Sequence, residues 1–520
     1  MKALVITFAL MTVVGPLLSI RNLQISINGN SLLKLESLEV NPGEIHGIIG
    51  ESGSGKSLTL FGVMGLLSPA LQISGSIQLN GIELTVQLEK AWRNIRGKEI
   101  GMIFQEPMTA LNPQMRCGKQ LMESALIHEP NFDLAKEKVE RKLTQLGLGE
   151  ILDRILNAYP HQLSGGQRQR VMIAMACVHE PPLILADEPT TALDSVARQQ
   201  VMRDLERICK EQGSALVWVS HELDLVRQYA EKVTVLRKGV CLAQGESTDV
   251  FGNAAIDYVK ELIEAMPNSV WVKALEDYIP VLEITDLGKT YQQKGWEVKA
   301  LNGFSDVLHQ GETLAIVGLS GSGKSTLAKM LVALETPTEG SVFLNGNPLK
   351  RKPPTGIQMV FQDPYSSLNP NDKSIDAVRE VVEWFGKGNL DESNRKPSEK
   401  TDLRLLNHEK ATSLLEEVGF DLRLVDAYPH EMSGGQRQRL CIARALASDP
   451  KVLILDEAVA ALDPLVQKQV LDLLLRLQRE RGLAYIFITH NLEVARAIAH
   501  RIVFLEKGEQ QPLPADWLSV

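Results

Sequence analysis

Residues Gly50-Glu51-Ser52-Gly53-Ser54-Gly55-Lys56-Ser57 spell G-x-x-x-x-G-K-S, and the chain spells it again at Gly318-Leu319-Ser320-Gly321-Ser322-Gly323-Lys324-Ser325. The pattern constrains the backbone and what lies around it. Its glycines let the chain turn tightly and aim N–H groups inward, at phosphate oxygens. The helix that follows points its N-terminus at the same oxygens and adds about half a positive charge. The lysine can reach the β- and γ-phosphates of a nucleotide, and the final serine can ligate Mg2+. A lone match could be a chance glycine-rich turn. A second copy removes that reading.

The repeat extends well beyond the loops. Lys56 matches Lys324, Ser164 matches Ser433, Asp187 matches Asp456 and His221 matches His490, each pair 268 or 269 residues apart. Gln105 matches Gln362 at a separation of 257, so the second half carries extra residues after its glutamine. These fall around Lys387–Lys410, a polar stretch that reads as a surface loop. The division is an extension over residues 1–16, a domain over 17–252, a linker over 253–280 and a second domain over 281–520.

A chain of 520 residues is too long for one core, which agrees with two domains. A net charge of −9 argues against a nucleic-acid surface. The five cysteines form no C-x-x-C pair, so neither zinc nor a disulfide framework is expected. Met1–Ile20 is almost wholly apolar, but Gly15-Pro16 breaks it and Leu17–Ile27 reads as a first strand. A disordered or loosely helical extension is expected there, with Met1 or Met11 as the start, and export is not. No other stretch is long and apolar enough to cross a membrane, so a membrane role needs partner subunits.

Strands alternate with helices in both halves, which predicts an α/β fold around a mainly parallel sheet. In the first half, Leu17–Ile27 and Leu35–Val40 flank an Asn28-Gly29-Asn30 turn, and Glu44–Ile49 feeds the glycine loop. Ile100–Phe104, Leu183–Ala186, Ala215–Val219 and Lys232–Leu236 are further strands. Helical patterning over Gly118–Leu156 predicts an inserted helical subdomain. Ile256, Val259, Leu262, Ile263 and Met266 share one helical face before Pro267.

Asp187 and Asp456 end apolar strands, where an acid can hold Mg2+ opposite Ser57 or Ser325. Glu188 and Glu457 follow them and can orient or deprotonate an attacking water. An isolated Asp-Glu pair is equally a helix cap, but both pairs lie downstream of a phosphate loop. Gln105 and Gln362 can reach the metal or the water. His221 and His490 sit at strand ends and can bond a γ-phosphate. Ser164-Gly165-Gly166-Gln167 and Ser433-Gly434-Gly435-Gln436 open helices that suit a second phosphate contact. Each half already has one cradle, so mutual head-to-tail donation is the economical arrangement.

This set of motifs resembles the ATP-binding cassette family over nearly the whole chain beyond residue 16, with the two Ser-Gly-Gly-Gln runs as its signature. The resemblance implies two tandem P-loop cassettes, each a RecA-like core with an antiparallel β edge and an inserted α-helical subdomain. It implies two ATPs in a closed sandwich, with Thr326 and Tyr291 among the ATP contacts. One site would combine Lys56, Asp187, Glu188 and His221 with Ser433; the other, Lys324, Asp456, Glu457 and His490 with Ser164. Register places Ile27 where the family stacks an aromatic on adenine, so stacking is expected from Tyr291 alone. Met432 stands where the signature usually has leucine. No iron–sulfur cluster is expected.

Phe104-Gln105-Glu106-Pro107, Leu111-Asn112-Pro113 and Tyr159-Pro160-His161 resemble the dipeptide, oligopeptide and nickel importer branch. So do their counterparts Phe361-Gln362-Asp363-Pro364, Leu368-Asn369-Pro370 and Tyr428-Pro429-His430. Ala186–Asp194 resembles one ATPase subunit of that branch, and Asp456–Asp463 resembles the other. The resemblance therefore implies both subunits fused, as in some peptide and glutathione importers. Two integral membrane permeases and an extracytoplasmic solute-binding protein would be the partners, at the cytoplasmic face of the inner membrane. An importer of nickel or a metal chelate is the alternative within the branch. A soluble two-cassette ATPase acting on ribosomes or DNA is the alternative outside it, disfavoured by the short linker and the missing zinc spacing.

Overall fold

The structure, a computed structural model, describes residues 15–191, 193–252, 256–266, 272, 275, 278–293, 296–349, 356–386, 397–460 and 462–513. Nearly all of the expected N-terminal extension and much of the expected linker lie outside these residues. The chain forms two compact units that divide between Ile263 and Glu264.

The first unit is built on ten strands: β1 (Leu18–Ile27), β2 (Asn30–Val40), β3 (Ile45–Gly50), β4 (Gln72–Leu79), β5 (Ile82–Glu83), β6 (Ile100–Ile103), β7 (Leu183–Asp187), β8 (Ala215–Ser220), β9 (Lys232–Arg237) and β10 (Val240–Glu246). They form one sheet in the order β5-β4-β1-β2-β10-β9-β3-β8-β7-β6. From β9 to β6 every pairing is parallel. β3, β7 and β8 are buried along their whole length, as parallel strands covered on both faces must be. The other half of the sheet is chiefly antiparallel. The sheet thus joins a parallel core to an antiparallel edge, the arrangement the family resemblance implies. The reason is local: Asn28 and Gly29 take φ of 49° and 82°, the two positive values of a tight hairpin turn. Ile27 then pairs with Asn30, and β2 begins five residues earlier than the apolar run that suggested it.

The second unit has β11 (Pro280–Gln293), β12 (Trp296–His309), β13 (Thr313–Val317), β14 (Glu339–Leu344), β15 (Asn347–Pro348), β16 (Ile357–Val360), β17 (Val452–Asp456), β18 (Ala484–Thr489), β19 (Arg501–Glu506) and β20 (Glu509–Gln511). Here the same parts are two sheets, an antiparallel β12-β11-β14-β15 and a largely parallel β16-β17-β18-β13-β19-β20. The stretch read as a surface loop over Lys387–Lys410 is corrected in part: a helix spans Pro397–Glu417. Its last turns bury Ala411, Leu414 and Leu415, and this apolar end fixes the helix.

Helices Cys117–Leu126, Phe132–Gln145 and Leu152–Asn157 make the first unit's inserted subdomain, ahead of helix Gly165–Cys177. Lys142 lies inside it, fully buried, with no hydrogen-bond partner for its ammonium. Glu180 is 3.8 Å away, and burial pulls the Lys142 pKa below 10.5. A buried ammonium without hydrogen bonds costs more than an apolar group of similar shape. Lys142→Met should therefore raise stability by roughly 1–3 kcal/mol. The gain over wild type should shrink as pH climbs from the depressed folded pKa toward 10.5, where the unfolded chain also loses the proton. Thermal melts of both chains across that range measure it.

Candidate active sites

Parallel register decides which residues meet. Ile49 pairs with Ser220, Asp187 with Val219, and Ile103 with Ala186. The strand ends of β3, β8, β7 and β6 therefore form one rim, and the residues just past them face the same space. Ligands of open parallel sheets bind at this carboxyl rim. In the second unit Val317 pairs with Thr489, Asp456 with Ile488, and Val360 with Leu455, giving the same rim.

The glycine loops leave β3 and β13 and turn into helices Lys56–Val63 and Lys324–Leu331. Glycine is obligatory at the first position, because a Cβ on Gly50 would stand 2.0 Å from the Leu236 carbonyl oxygen. Lys56 is buried, and its ammonium donates to Gly50 O at 2.8 Å and Glu51 O at 2.9 Å. Lys324 donates likewise to Gly318 O at 2.7 Å and Leu319 O at 2.8 Å. Two backbone carbonyls thus hold each cation within its own glycine loop.

Ser57 Oγ donates to Asp187 Oδ1 at 2.9 Å. Burial pushes the Asp187 carboxyl above its usual range, against the Ser57 hydrogen bond, and Glu188 adds like charge. Asp456 is raised in the same way, with Ser325 as the opposing bond. Asp456 Oδ1 is buried with no hydrogen-bond partner. A buried carboxylate short of partners, beside a serine hydroxyl, suits a hard cation that prefers oxygen ligands. Among the described residues, no three His, Cys, Asp or Glu side chains gather as a metal site. A cation here would share its coordination with phosphate oxygens.

Glu188 and Glu457 each take a left-handed backbone, φ 46° and 47°. A non-glycine residue held there costs about 1–3 kcal/mol and recurs at functional sites. The Val219 and Ile488 carbonyls hold these turns by accepting from the two glutamate N–H groups, at 3.0 Å and 2.9 Å. Each carboxylate is clasped from two sides. Gln105 Nε2 donates to Glu188 at 2.8 Å and His221 Nδ1 lies 3.3 Å from it. Gln362 and His490 repeat this on Glu457 at 2.8 Å and 3.3 Å. The glutamines, expected to reach a metal or water, bond the glutamates here. A neutral amide at a strand end meets the nearest anion, and that is the glutamate.

The signature serines sit exposed at the N-termini of helices Gly165–Cys177 and Gly434–Leu446. Each is the N-cap of a capping box: Ser164 Oγ accepts from Gln167 N–H and Gln167 Oε1 accepts from Ser164 N–H, at 3.3 Å and 3.1 Å. Among the described residues, neither serine bonds the glycine loop of its own unit. Tyr291 lies half-exposed on β11, with the Lys289 ammonium 5.0 Å from its ring centroid. Ile27, at the end of β1, is half-buried. Two contacts went unread in the sequence. Thr191 Oγ1 donates to Glu188 at 3.1 Å. Tyr258 meets Glu51 from 207 residues away; its position on a short amphipathic helix gave no sign of that reach.

Glu188 and His221 shift each other's titration in opposite directions. Burial alone would raise Glu188, but the His221 hydrogen bond and charge, with Lys56 and Thr191, overcome it and hold the carboxyl at about 2. Burial alone would lower His221, but Glu188 holds its pKa above 6.5. The glutamate's share of stability is present above its unfolded value of 4.5 and fades as pH falls toward about 2. The histidine's share is present below 6.5 and fades as pH rises through its higher folded value. In Glu188→Gln the counter-charge is gone and burial dominates, so His221 should titrate below 6.5. An NMR titration of the ring protons reads this shift.

Residues 33–191 and 301–460 match the ABC transporter family. The chain is 36% identical over 514 residues to an uncharacterized ABC transporter ATP-binding protein, YejF, of Escherichia coli strain K12, covering 95% of this chain and 94% of that protein. It is 36% identical over 525 residues to the glutathione import ATP-binding protein GsiA of Salmonella choleraesuis strain SC-B67, covering 91% and 81%. A solved structure of an archaeal ribosome recycling factor, aABCE1, bound to the ribosomal stalk protein aP1, superposes with a TM-score of 0.58. At 20% identity, over 90% of this chain and 84% of that one, the likeness is one of fold. Two glycine loops, two Asp-Glu strand ends and two signature helices fall within one matched frame: the chain belongs to the ABC transporter family, as an ATP-hydrolysing protein with two cassettes.

Proposed function

We propose that the chain energises a membrane importer of peptides or related small solutes, hydrolysing ATP at two sites. The carrying observation is that both Asp-Glu rims are complete: each glutamate is held ionised beside its histidine, on a rim with a buried lysine and a serine–aspartate pair. The similarity to a glutathione import protein over 91% of the chain supports the solute class. No helix among the described residues is long and apolar enough to cross a membrane. Two permease subunits, fed by an extracytoplasmic binding protein, supply the path, and the chain docks on them at the cytoplasmic face.

Lys56 and Lys324 exchange their carbonyl partners for the β- and γ-phosphates when ATP enters. Ser57, Asp187 and Gln105, and Ser325, Asp456 and Gln362, would hold Mg2+, which would neutralise phosphate charge when bound. Glu188 and Glu457 orient the attacking water and accept its proton, and His221 and His490 bond the γ-phosphate. Tyr291 stacks on adenine in the second cassette. Each signature run, from Ser164 or from Ser433, completes the phosphate cradle that the other half begins. ATP favours this closed state, and its hydrolysis releases it.

The likeness to a ribosome recycling factor is shared by fold alone, so it does not favour a ribosomal role. Labelled tripeptide uptake, compared in cells with and without the chain, separates the readings. Loss of uptake, with the chain in the membrane pellet, is expected; intact uptake with the chain on salt-washed ribosomes would sink the importer reading. Glu188→Gln and Glu457→Gln should each cut ATP turnover by about a hundredfold or more and leave ATP bound. Unchanged turnover in Glu457→Gln would refute two active sites.

A further inference from the structure

Helix Asp257–Glu264 follows the last strand of the first unit and packs directly on its glycine loop. Tyr258, Val259 and Leu262 are buried. The Tyr258 hydroxyl accepts a hydrogen bond from the Glu51 N–H at 3.1 Å. The Arg237 guanidinium lies over the Tyr258 ring, 4.4 Å from its centroid. Arg237 also pairs with Glu51 at 3.5 Å and with Glu261, on the same helix, at 3.7 Å. One cation thus ties β9, the loop and the helix together around the tyrosine.

The bonded N–H matters because of the peptide unit that carries it. A peptide is planar, so the Glu51 N–H and the Gly50 C=O move as one body. That carbonyl is the one Lys56 holds at 2.8 Å. Tyr258 therefore grips one end of the plane whose other end positions the phosphate-binding lysine. An N–H engaged by an acceptor also makes its own carbonyl a stronger acceptor. In the second cassette the Gly318 carbonyl holds Lys324 in the same way, at 2.7 Å. Yet Leu319 replaces Glu51 and Glu506 occupies the place of Arg237. Among the described residues, no side chain there meets the Leu319 N–H.

We infer that Tyr258 is a positioning residue of the first ATP site, acting through the Gly50–Glu51 peptide on Lys56, and that it makes the two sites unequal in ATP affinity. The inference rests on the reading of both loops as ATP sites. It also gives the helix leading out of the first cassette a direct mechanical tie to that cassette's nucleotide.

The test uses the full chain carrying Glu188→Gln and Glu457→Gln, so that bound ATP persists. Equilibrium dialysis with Mg-ATP should resolve two binding steps. Adding Tyr258→Phe, which keeps the ring and removes the acceptor, should weaken one step about fivefold, the net worth of one neutral hydrogen bond, and leave the other unchanged. Hydrogen exchange at the Glu51 amide should be slow in the parent chain and faster in Tyr258→Phe. In the chain with both glutamates intact, Tyr258→Phe should raise KM for ATP while kcat holds. Superimposed isotherms, equal weakening of both steps, or a Glu51 amide unprotected in the parent chain would overturn the inference. The exchange measurement needs no variant, so it decides even if Tyr258→Phe fails to fold. A parent chain that binds no ATP would instead overturn the reading of the loops themselves.

Discussion

Four neighbouring parallel strands each end within one residue of the next, and everything chemical in each cassette depends on that alignment. The ladder of β6, β7, β8 and β3 brings Gln105, Asp187-Glu188, His221 and the Gly50 loop to one rim. No other constraint in the chain could gather residues so far apart in sequence. A slip of one residue between β7 and β8 would turn Asp187 to the opposite face, away from Ser57. Complete burial of these strands prevents it, because any slip would exchange apolar contacts on both faces at once.

Charge is managed on this rim by pairing cations with specific acceptors. The lysine ammonium is held by two backbone carbonyls of its own loop. The glutamate is kept ionised by its histidine, while the adjacent aspartate is pushed toward neutrality by burial. Two neighbouring acids are thereby set apart in pKa, which gives them different duties. The raised aspartate suits a cation that would restore its charge, and the lowered glutamate stays an anion. The second cassette repeats both arrangements with different surroundings, and the repetition marks them as selected geometry.

Much of this was legible before any coordinates. The glycine loops, the Asp-Glu strand ends, the histidines and the signature helix starts lie at motifs whose local chemistry demands those residue types, and each falls where its strand or helix was expected. The antiparallel half of the sheet was not legible in full. β2 begins with the polar run Asn30-Ser31, which shows no apolar alternation, and only pairing with β1 extends it. Helix Pro397–Glu417 was hidden for a similar reason: its N-terminal half is polar, and its order comes from the buried end at Ala411, Leu414 and Leu415. The Gln105–Glu188 contact was hidden too, because sequence shows which groups end strands, not which anion each one meets.

The sequence by itself determined that there are two glycine loops opening helices, which residue types stand at the strand ends, and that the halves are copies. These follow from residue type and local spacing, which short-range sterics and hydrogen bonding translate directly into turns and helix starts. Only the tertiary structure decided that Glu188 and Glu457 are clasped by glutamine and histidine together, that both sit in left-handed backbone, and that Tyr258 grips the first loop. Those contacts join residues tens to hundreds of positions apart. Their geometry is set by sheet register and by the packing of a terminal helix, and no local pattern encodes either.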